Sequence, residues 1–212
     1  MGYDEEYEGL LSKAKSTPES ADFQQLRFAY ARSSQYNPYG ASTADLWALG
    51  EVIGHADGET AMGAIDETLE SNYLDIRAHL LAASVHRSMG DADKATYHGR
   101  FAGGLLRSIL ESGDGHAPET AFVVISVAEE YAVLGFLELE LRSQALLTHK
   151  GHRFDEIRAH HPQTGKAMTL YFNIDHPHMW LEGRDPADLL ASLGAPITPT
   201  DPVKPGGKKR SE

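Results

Sequence analysis

Three β-strand patterns in succession, between residues 138 and 174, constrain the fold of this chain more than any other feature. Apolar and polar side chains alternate in each pattern, which is typical of strands with one face against a core. The segments HKG at 149–151 and QTG at 163–165 have the length and glycine content of hairpin turns. The sequence therefore predicts an antiparallel meander, with one strand beginning at residue 138 and the next two at 152–159 and 166–174.

The alternation also predicts which side chains share a face. In the first strand we expect two opposite rows, Leu139, Leu141, Ala145 and Leu147 against Glu140, Arg142 and Gln144. In the last strand we expect a buried row and a polar row, Met168, Leu170, Phe172 and Ile174 against Thr169, Tyr171, Asn173 and Asp175. Pro177 cannot donate to a ladder and ends this strand.

Helical periodicity dominates the first half of the chain. Apolar residues recur at helical spacing in the segments 3–15, 22–33, 43–54, 59–71, 74–89 and 91–111. Ala83, His86, Gly90 and Ala95 lie at the offsets at which a tetratricopeptide hairpin places small residues between its two helices. We further predict a strand at 121–126, a short helix at 128–137 and a closing helix at 186–193.

The fold class that follows is α+β, with N-terminal tetratricopeptide-like helical hairpins and then a small antiparallel β-meander with one short helix. We expect a helical, repeat-like region at 1–112 and a small sheet region packed on the helices at 113–195. Residues 196–212 are rich in proline and lysine and are predicted to be a disordered tail, because they bury too little apolar surface to offset the entropy of ordering.

Charge and composition limit the partners. The 212 residues carry a formal net charge of -12, which disfavours binding to nucleic acid phosphates. No apolar run reaches the roughly 18 residues that span a bilayer, and cysteine chemistry is excluded because cysteine is absent. We expect no nucleic acid or membrane partner, and a cytoplasmic location for the chain as given, or a periplasmic one if a leader was removed. The oligomeric state is left open.

Polar residues near the end of the last strand are the leading candidates for a binding face. A strand places Tyr171, Asn173 and Asp175 in one row with a spacing of about 7 Å. The other interpretation is structural, because Asn and Asp side chains at strand ends commonly bond their own backbone. Glu129 and Glu130 are further candidates, either as an acid or base whose pKa a buried or like-charged environment raises, or as charges that stabilise a helix N-terminus.

Two histidines beside Pro177 raise the question of a metal. Imidazoles two residues apart, as in His176 and His178, bind one ion when an extended backbone points both to the same side, and Asp175 would add an oxygen. The alternative is a pair of exposed turn histidines. We predict no cofactor, with a divalent metal such as zinc at His176 and His178 as the alternative.

Several spaced strings resemble one family. They are DFQQLRFAY at 22–30 with YNPY at 36–39, SGDG at 112–115 with ETAFVVIS at 119–126 and EEY at 129–131, and LYFNID at 170–175. In this order they resemble a bacterial family catalogued as domain of unknown function 4919, over roughly residues 7–180. The resemblance implies a helical front with a small sheet behind it, and it supplies no activity, substrate or catalytic residue.

Two function hypotheses remain. The first is a non-catalytic protein- or peptide-interaction module, with a partner on the helical face and Tyr30, Tyr36, Tyr39 and Trp47 as aromatic anchors or as core residues. The alternative is a small metal-assisted or acid/base hydrolase that uses the polar face of the last strand. No Gly-x-Ser-x-Gly elbow or His-Glu-x-x-His motif is present, so the sequence assigns no catalytic residue.

Overall fold

The helices precede the sheet along the chain. The computed structural model describes residues 2–39 and 57–183. Within them the α-helices are α1 (Tyr3–Ser16), α2 (Phe23–Tyr30), α3 (Gly58–Ser71), α4 (Ile76–Ser88), α5 (Ala92–Leu110), α6 (Val127–Phe136) and α7 (Asp175–Leu181). The strands are β1 (Phe122–Val123), β2 (Glu140–His149), β3 (His152–His160) and β4 (Ala167–Asn173). The predicted helices at 43–54 and 186–193, Trp47 and the tail lie outside the described residues.

The predicted α+β class is confirmed, and each predicted helix in the described ranges agrees with the observed helix to within about one turn. Across these ranges, none of the helices combines the length and the apolar character that crossing a membrane requires.

Acidic side chains explain where the helices begin. The Oδ1 atoms of Asp22, Asp57, Asp75 and Asp91 each accept a hydrogen bond from the backbone N–H three residues along, at 2.8–3.1 Å. The Ser126 hydroxyl accepts the equivalent bond at the start of α6, at 3.3 Å. Each such cap satisfies an N–H group that the helix itself leaves unpaired, and each is worth about 1 kcal/mol.

The helices α4 and α5 form the hairpin that the small residues predicted. Ala83 and Ala95 are buried where the two helices pack, His86 is buried beside them, and Gly90 turns the chain with a φ of 79°. A Cβ at that φ would be strained, so glycine suits the turn. The preceding helix α3 packs on α4 through a small cluster of its own, formed by Ala61, Ile65, Leu69, Ala78, Ala82 and Val85.

The sheet is mixed, not purely antiparallel. Its strand order is β1-β4-β3-β2, with β2, β3 and β4 forming the predicted antiparallel meander. The expectation of an antiparallel sheet is wrong at β1, which pairs in parallel with β4 through Phe122 opposite Phe172. The physical reason is that α6 lies between β1 and the meander and returns the chain before β2 begins, so β1 enters the sheet from the other edge.

A β-bulge in β2 corrects the predicted faces of that strand. Leu141 pairs with Ala159 and Ser143 pairs with Arg158, so Arg142 is an extra residue that faces no partner. Because one extra residue inverts the alternation, side chains after the bulge change faces relative to those before it. Leu141, Gln144 and Leu146 therefore share one face of the sheet, and the predicted row that joined Leu141 to Ala145 and Leu147 is wrong.

The inner face of the sheet shares one core with the helices. Leu170 and Phe172 are buried as predicted, and they belong to the same cluster as Leu26 of α2, Leu105 of α5 and Val133 of α6. This packing fixes α6 over the sheet, and α6 contacts both β2 and the two helices of the α4–α5 hairpin.

Candidate functional site

The predicted polar row ends in a turn, not in a strand. Tyr171 and Asn173 lie in β4, but Asp175 is the first residue of α7, so the expectation that all three share one strand is wrong. The Asn173 side-chain oxygen accepts the backbone N–H of Asp175 at 3.0 Å and bends the chain at Ile174, whose ψ is 24°. The Tyr171 hydroxyl donates instead to Glu156 at 3.4 Å. The structure therefore separates Tyr171 from the other two.

Asp175 ties the start of β3 to the end of β4. Its carboxylate accepts the backbone N–H of Arg153 at 2.8 Å and the amide of Asn173 at 3.2 Å. It also lies 2.6 Å from Nδ1 of His152. Since Asp175 is buried and both of its oxygens are engaged, its contacts serve the junction of the two strands and the helix.

His176 and His178 do not face the same way. Residues two apart on an α-helix project about 200° apart around its axis, and both histidines lie in α7. His176 is buried and stacks on the ring of Phe28 at 5.2 Å, and burial lowers the pKa of His176 to about 4. Nε2 of His178 lies 3.3 Å from the Glu182 carboxylate.

The metal hypothesis required an extended backbone at His176 and His178, and this prediction is wrong because both residues lie in a helix. Moreover, no three His, Cys, Asp or Glu side chains in the described part of the chain come close enough together to hold a metal ion.

Glu129 is the counter-ion of a buried arginine. Its two carboxylate oxygens accept Nε and Nη2 of Arg27 at 2.7 and 2.6 Å, and one of them also accepts the backbone N–H of Ile125 at 2.8 Å. Arg27 is fully buried and donates further to the Val123 carbonyl and the Ser108 hydroxyl. This fully bonded pair joins α2, α5, β1 and α6, so Glu129 acts in the fold.

Glu130 has a different environment from its neighbour. It is fully buried, and within the described residues no hydrogen-bond donor reaches either carboxylate oxygen. Burial first, and then the charge of the Asp155 carboxyl beside it, raise the pKa of Glu130 well above its ordinary value. Burial also raises the pKa of Asp155, although Gln144 donates to that carboxylate at 2.6 Å. A protonated Glu130 can donate a hydrogen bond to the Asp155 carboxylate.

Two of the predicted aromatic anchors are core residues. Tyr30 and Tyr36 are buried, and the Tyr36 hydroxyl donates to the Ile125 carbonyl at 2.5 Å. Tyr39 is 41% exposed and packs near Trp180, with ring centroids 6.0 Å apart. Of the three predicted tyrosine anchors, only Tyr39 is therefore accessible.

An apolar groove lies between the helical hairpin and the start of the sheet. It has a volume of about 730 Å³ and is bounded by α4, α5, α6 and the beginning of β2. Three of its large apolar side chains are open to solvent, with Leu80, Phe136 and Leu141 exposed by 53%, 58% and 37%. Arg77 and Glu140 are the charged residues among those that line it. Solvent-exposed apolar side chains gathered in one concave surface are typical of a binding site.

The groove continues along an open sheet edge. β2 is ten residues long and is the last strand in the sheet order, and no strand of the described residues pairs with its outer edge. The bulge keeps Leu146, which is 62% exposed, on the same face as the groove residue Leu141. An unpaired edge presents backbone N–H and C=O groups that another extended segment can bond.

Neither the groove nor Asp155 was among the candidate sites predicted from the sequence. Asp155 alternates with Ile157 and Ala159, which are buried, so the period of two already placed its carboxyl on the inner face of β3. The groove had a weaker signal, because Leu80 and Phe136 come from elements far apart in sequence and only the packing of α4 against α6 brings them together.

Comparison with known proteins gives one match. The family model described as "Domain of unknown function (DUF4919)" matches residues 7–180. No curated protein and no solved structure matches the chain.

Proposed function

The chain belongs to the family described as domain of unknown function DUF4919. Because that description names no activity, we propose a function from the groove itself, namely a non-catalytic protein- or peptide-interaction module. Its partner is an extended, apolar segment of another protein, held in the groove and along the edge of β2. The observation that carries the proposal is the exposure of Leu80, Phe136 and Leu141 in one concave surface.

The energetics favour an apolar occupant. Covering a Leu or Phe side chain that is now half exposed removes apolar surface from water, at about 25 cal/mol for each Å². The three exposed side chains lie within one groove, so one partner segment covers them together. A few side chains that become fully buried near the centre of an interface carry most of its affinity.

The shape of the site favours an extended occupant. A strand that adds to the outer edge of β2 satisfies the unpaired backbone groups there, and it alternates its side chains between the two faces of the sheet. The side chains on one face would meet Leu141 and Leu146. The net charge of -12 disfavours an acidic partner, so we expect a neutral or basic segment with alternating apolar residues.

Selection from a random nine-residue peptide library against the full chain tests this function. We expect selected peptides with alternating apolar residues and few acidic ones, and dissociation constants measurable by fluorescence anisotropy. Leu80→Glu and Phe136→Glu should each weaken binding by about tenfold or more, because each removes an apolar contact worth about 1.5–3 kcal/mol when buried.

Leu181→Glu is the matched control, since Leu181 is equally exposed, at 60%, and lies outside the groove. It should leave the affinity unchanged. A selection that yields no binders, or binders that tolerate both groove substitutions, would refute the proposed function.

The hydrolase alternative stays a prediction, and its best support is the raised pKa of Glu130 and of Asp155 beside it. A carboxyl group with a raised pKa suits general acid–base chemistry, but Glu130 is fully buried and Asp155 is only 8% exposed. The alternative requires that the chain hydrolyse a p-nitrophenyl ester or phosphate and that Glu130→Gln abolish the activity. Equal rates for the two proteins would exclude this pair as the acid and base.

A further inference from the structure

A row of three histidines lies between α4 and α5. His79 is fully buried in α4, and its Nδ1 lies 2.9 Å from Nδ1 of His98 in α5. The ring of His86, one α4 heptad beyond His79, stacks on His98 with centroids 5.6 Å apart. On its other side, Nε2 of His79 lies 2.9 Å from the backbone carbonyl oxygen of Tyr73. The buried ring of His79 thereby connects the backbone of Tyr73 to the ring of His98.

These contacts fix which ring nitrogens carry protons. A carbonyl oxygen only accepts, so Nε2 of His79 must carry the hydrogen that the Tyr73 carbonyl receives. Burial lowers the pKa of His79 to about 4, so its ring is neutral and Nδ1 has a free lone pair. Nδ1 of His98 must then donate to it. Neutral His98 therefore carries its hydrogen on Nδ1, and Nε2 is left as a hydrogen-bond acceptor.

His98 lines a cavity of about 600 Å³ between α1, α3 and α5. Asp66 and Glu70 contribute two carboxylates to its wall, against the single ammonium group of Lys15. That ammonium lies 3.8 Å from the centroid of the Tyr73 ring, so the aromatic wall already holds a cation. The cavity thus combines an oriented nitrogen acceptor with two anionic groups, and its aromatic face is occupied by the Lys15 ammonium.

We propose that this cavity is a binding site for a small organic amine, whose N–H groups donate to Nε2 of His98 and to the carboxylates of Asp66 and Glu70. An ammonium ligand matches the nitrogen acceptor and the two carboxylates, because it is cationic and donates hydrogen bonds. A carboxylate ligand has no donor for Nε2 of His98 and meets two like charges. The site shares no lining residue with the groove, so either proposal can fail without the other.

The first test is the tautomer of His98 in the full chain. Long-range ¹H–¹⁵N correlation spectra of the histidine rings at neutral pH distinguish a hydrogen on Nδ1 from one on Nε2. We expect His79 to carry it on Nε2 and His98 on Nδ1, which is the less common tautomer of free histidine. A hydrogen on Nε2 of His98 would remove the acceptor and overturn the proposal.

The second test is titration with 1,4-diaminobutane, with 1,4-butanediol as the uncharged ligand of the same length. We expect the diamine alone to shift the His98 ring nitrogens with saturation. His98→Phe should weaken binding by about tenfold, the size expected for one lost hydrogen bond to a charged donor. The exposed His116, which does not line the cavity, provides the control variant His116→Phe, with unchanged affinity.

A further variant tests the same site if His98→Phe fails to fold. Asp66 and Glu70 are exposed, so Asp66→Asn with Glu70→Gln keeps the fold and should weaken the diamine a few-fold or more. Equal responses to the diamine and the diol, or no saturable shift with the diamine, would contradict an amine site.

Discussion

Glu130→Gln is predicted to stabilise the folded protein at neutral and alkaline pH. Burial and the adjacent Asp155 raise the pKa of Glu130 in the folded state, whereas the unfolded chain has the ordinary glutamate pKa of 4.5. Between these two pKa values the folded state holds a proton that the unfolded state has lost. Stability therefore falls as pH rises through this window, by about 1.4 kcal/mol for each pH unit.

Glutamine keeps the size of the side chain, and its amide donates to Asp155 without any charge. The variant should therefore lose this pH dependence, and its advantage over the wild type should grow from about pH 5 upward. Urea unfolding followed by circular dichroism at pH 5, 6, 7 and 8 gives the free energy of unfolding of each protein. The difference between the two curves reports the titration of Glu130 together with its coupling to Asp155.

Glu129→Gln is the matched control, the same chemical change one residue earlier in α6. Here the expected sign is opposite, because Arg27 is fully buried and loses its counter-ion. Breaking a buried pair in this way costs about 3–5 kcal/mol. The reasoning is refuted if Glu130→Gln is less stable than the wild type at every pH, because Glu130 would then be ionised and paired in the folded state.

Three further predictions use the same unfolding assay. Gly104→Ala should lower the free energy of unfolding by about 1–3 kcal/mol, because its Cβ would overlap the Phe23 ring. Gly103→Ala has open space around the new Cβ and should raise it by about 0.5–1 kcal/mol. Equal effects of the two substitutions would contradict the packing. Asp175→Ala should cost about 2–4 kcal/mol, since it removes the acceptor at the β3–β4 junction, and a loss below 1 kcal/mol would contradict that role. Burial holds the pKa of His176 at about 4 in the folded state, against 6.5 in the unfolded chain, so the folded protein loses stability as pH falls from 6.5 toward 4. His176→Phe should remove about 3 kcal/mol of this loss. An unchanged decrease in stability at acid pH would show that the ring is not neutral.

Local periodicity predicted the elements whose neighbours in sequence are also neighbours in space. The period of two in β4 identified Leu170 and Phe172 as buried, and the small residues around Gly90 identified the α4–α5 hairpin. In both cases the pattern lies within one element or one hairpin, where backbone geometry fixes the side-chain direction.

Features that depend on contacts between residues far apart in sequence could not be predicted from local patterns. The bulge at Arg142 exists only relative to β3, so the alternation in β2 gave the wrong faces after it. Arg27 and Glu129 are 102 residues apart. No local pattern predicts that Glu129 is a buried counter-ion while the next residue, Glu130, has a raised pKa. The helix at Asp175 depends on a side-chain bond from Asn173 that competes with the strand.

The most direct measurement for the interaction function is amide hydrogen exchange of the full chain with and without a peptide selected from the library. The account predicts slower exchange in β2 (Glu140–His149), whose outer edge would gain backbone hydrogen bonds, together with protection around Phe136 in α6. Unchanged exchange in β2 at saturating peptide, with protection confined to other segments, would contradict it.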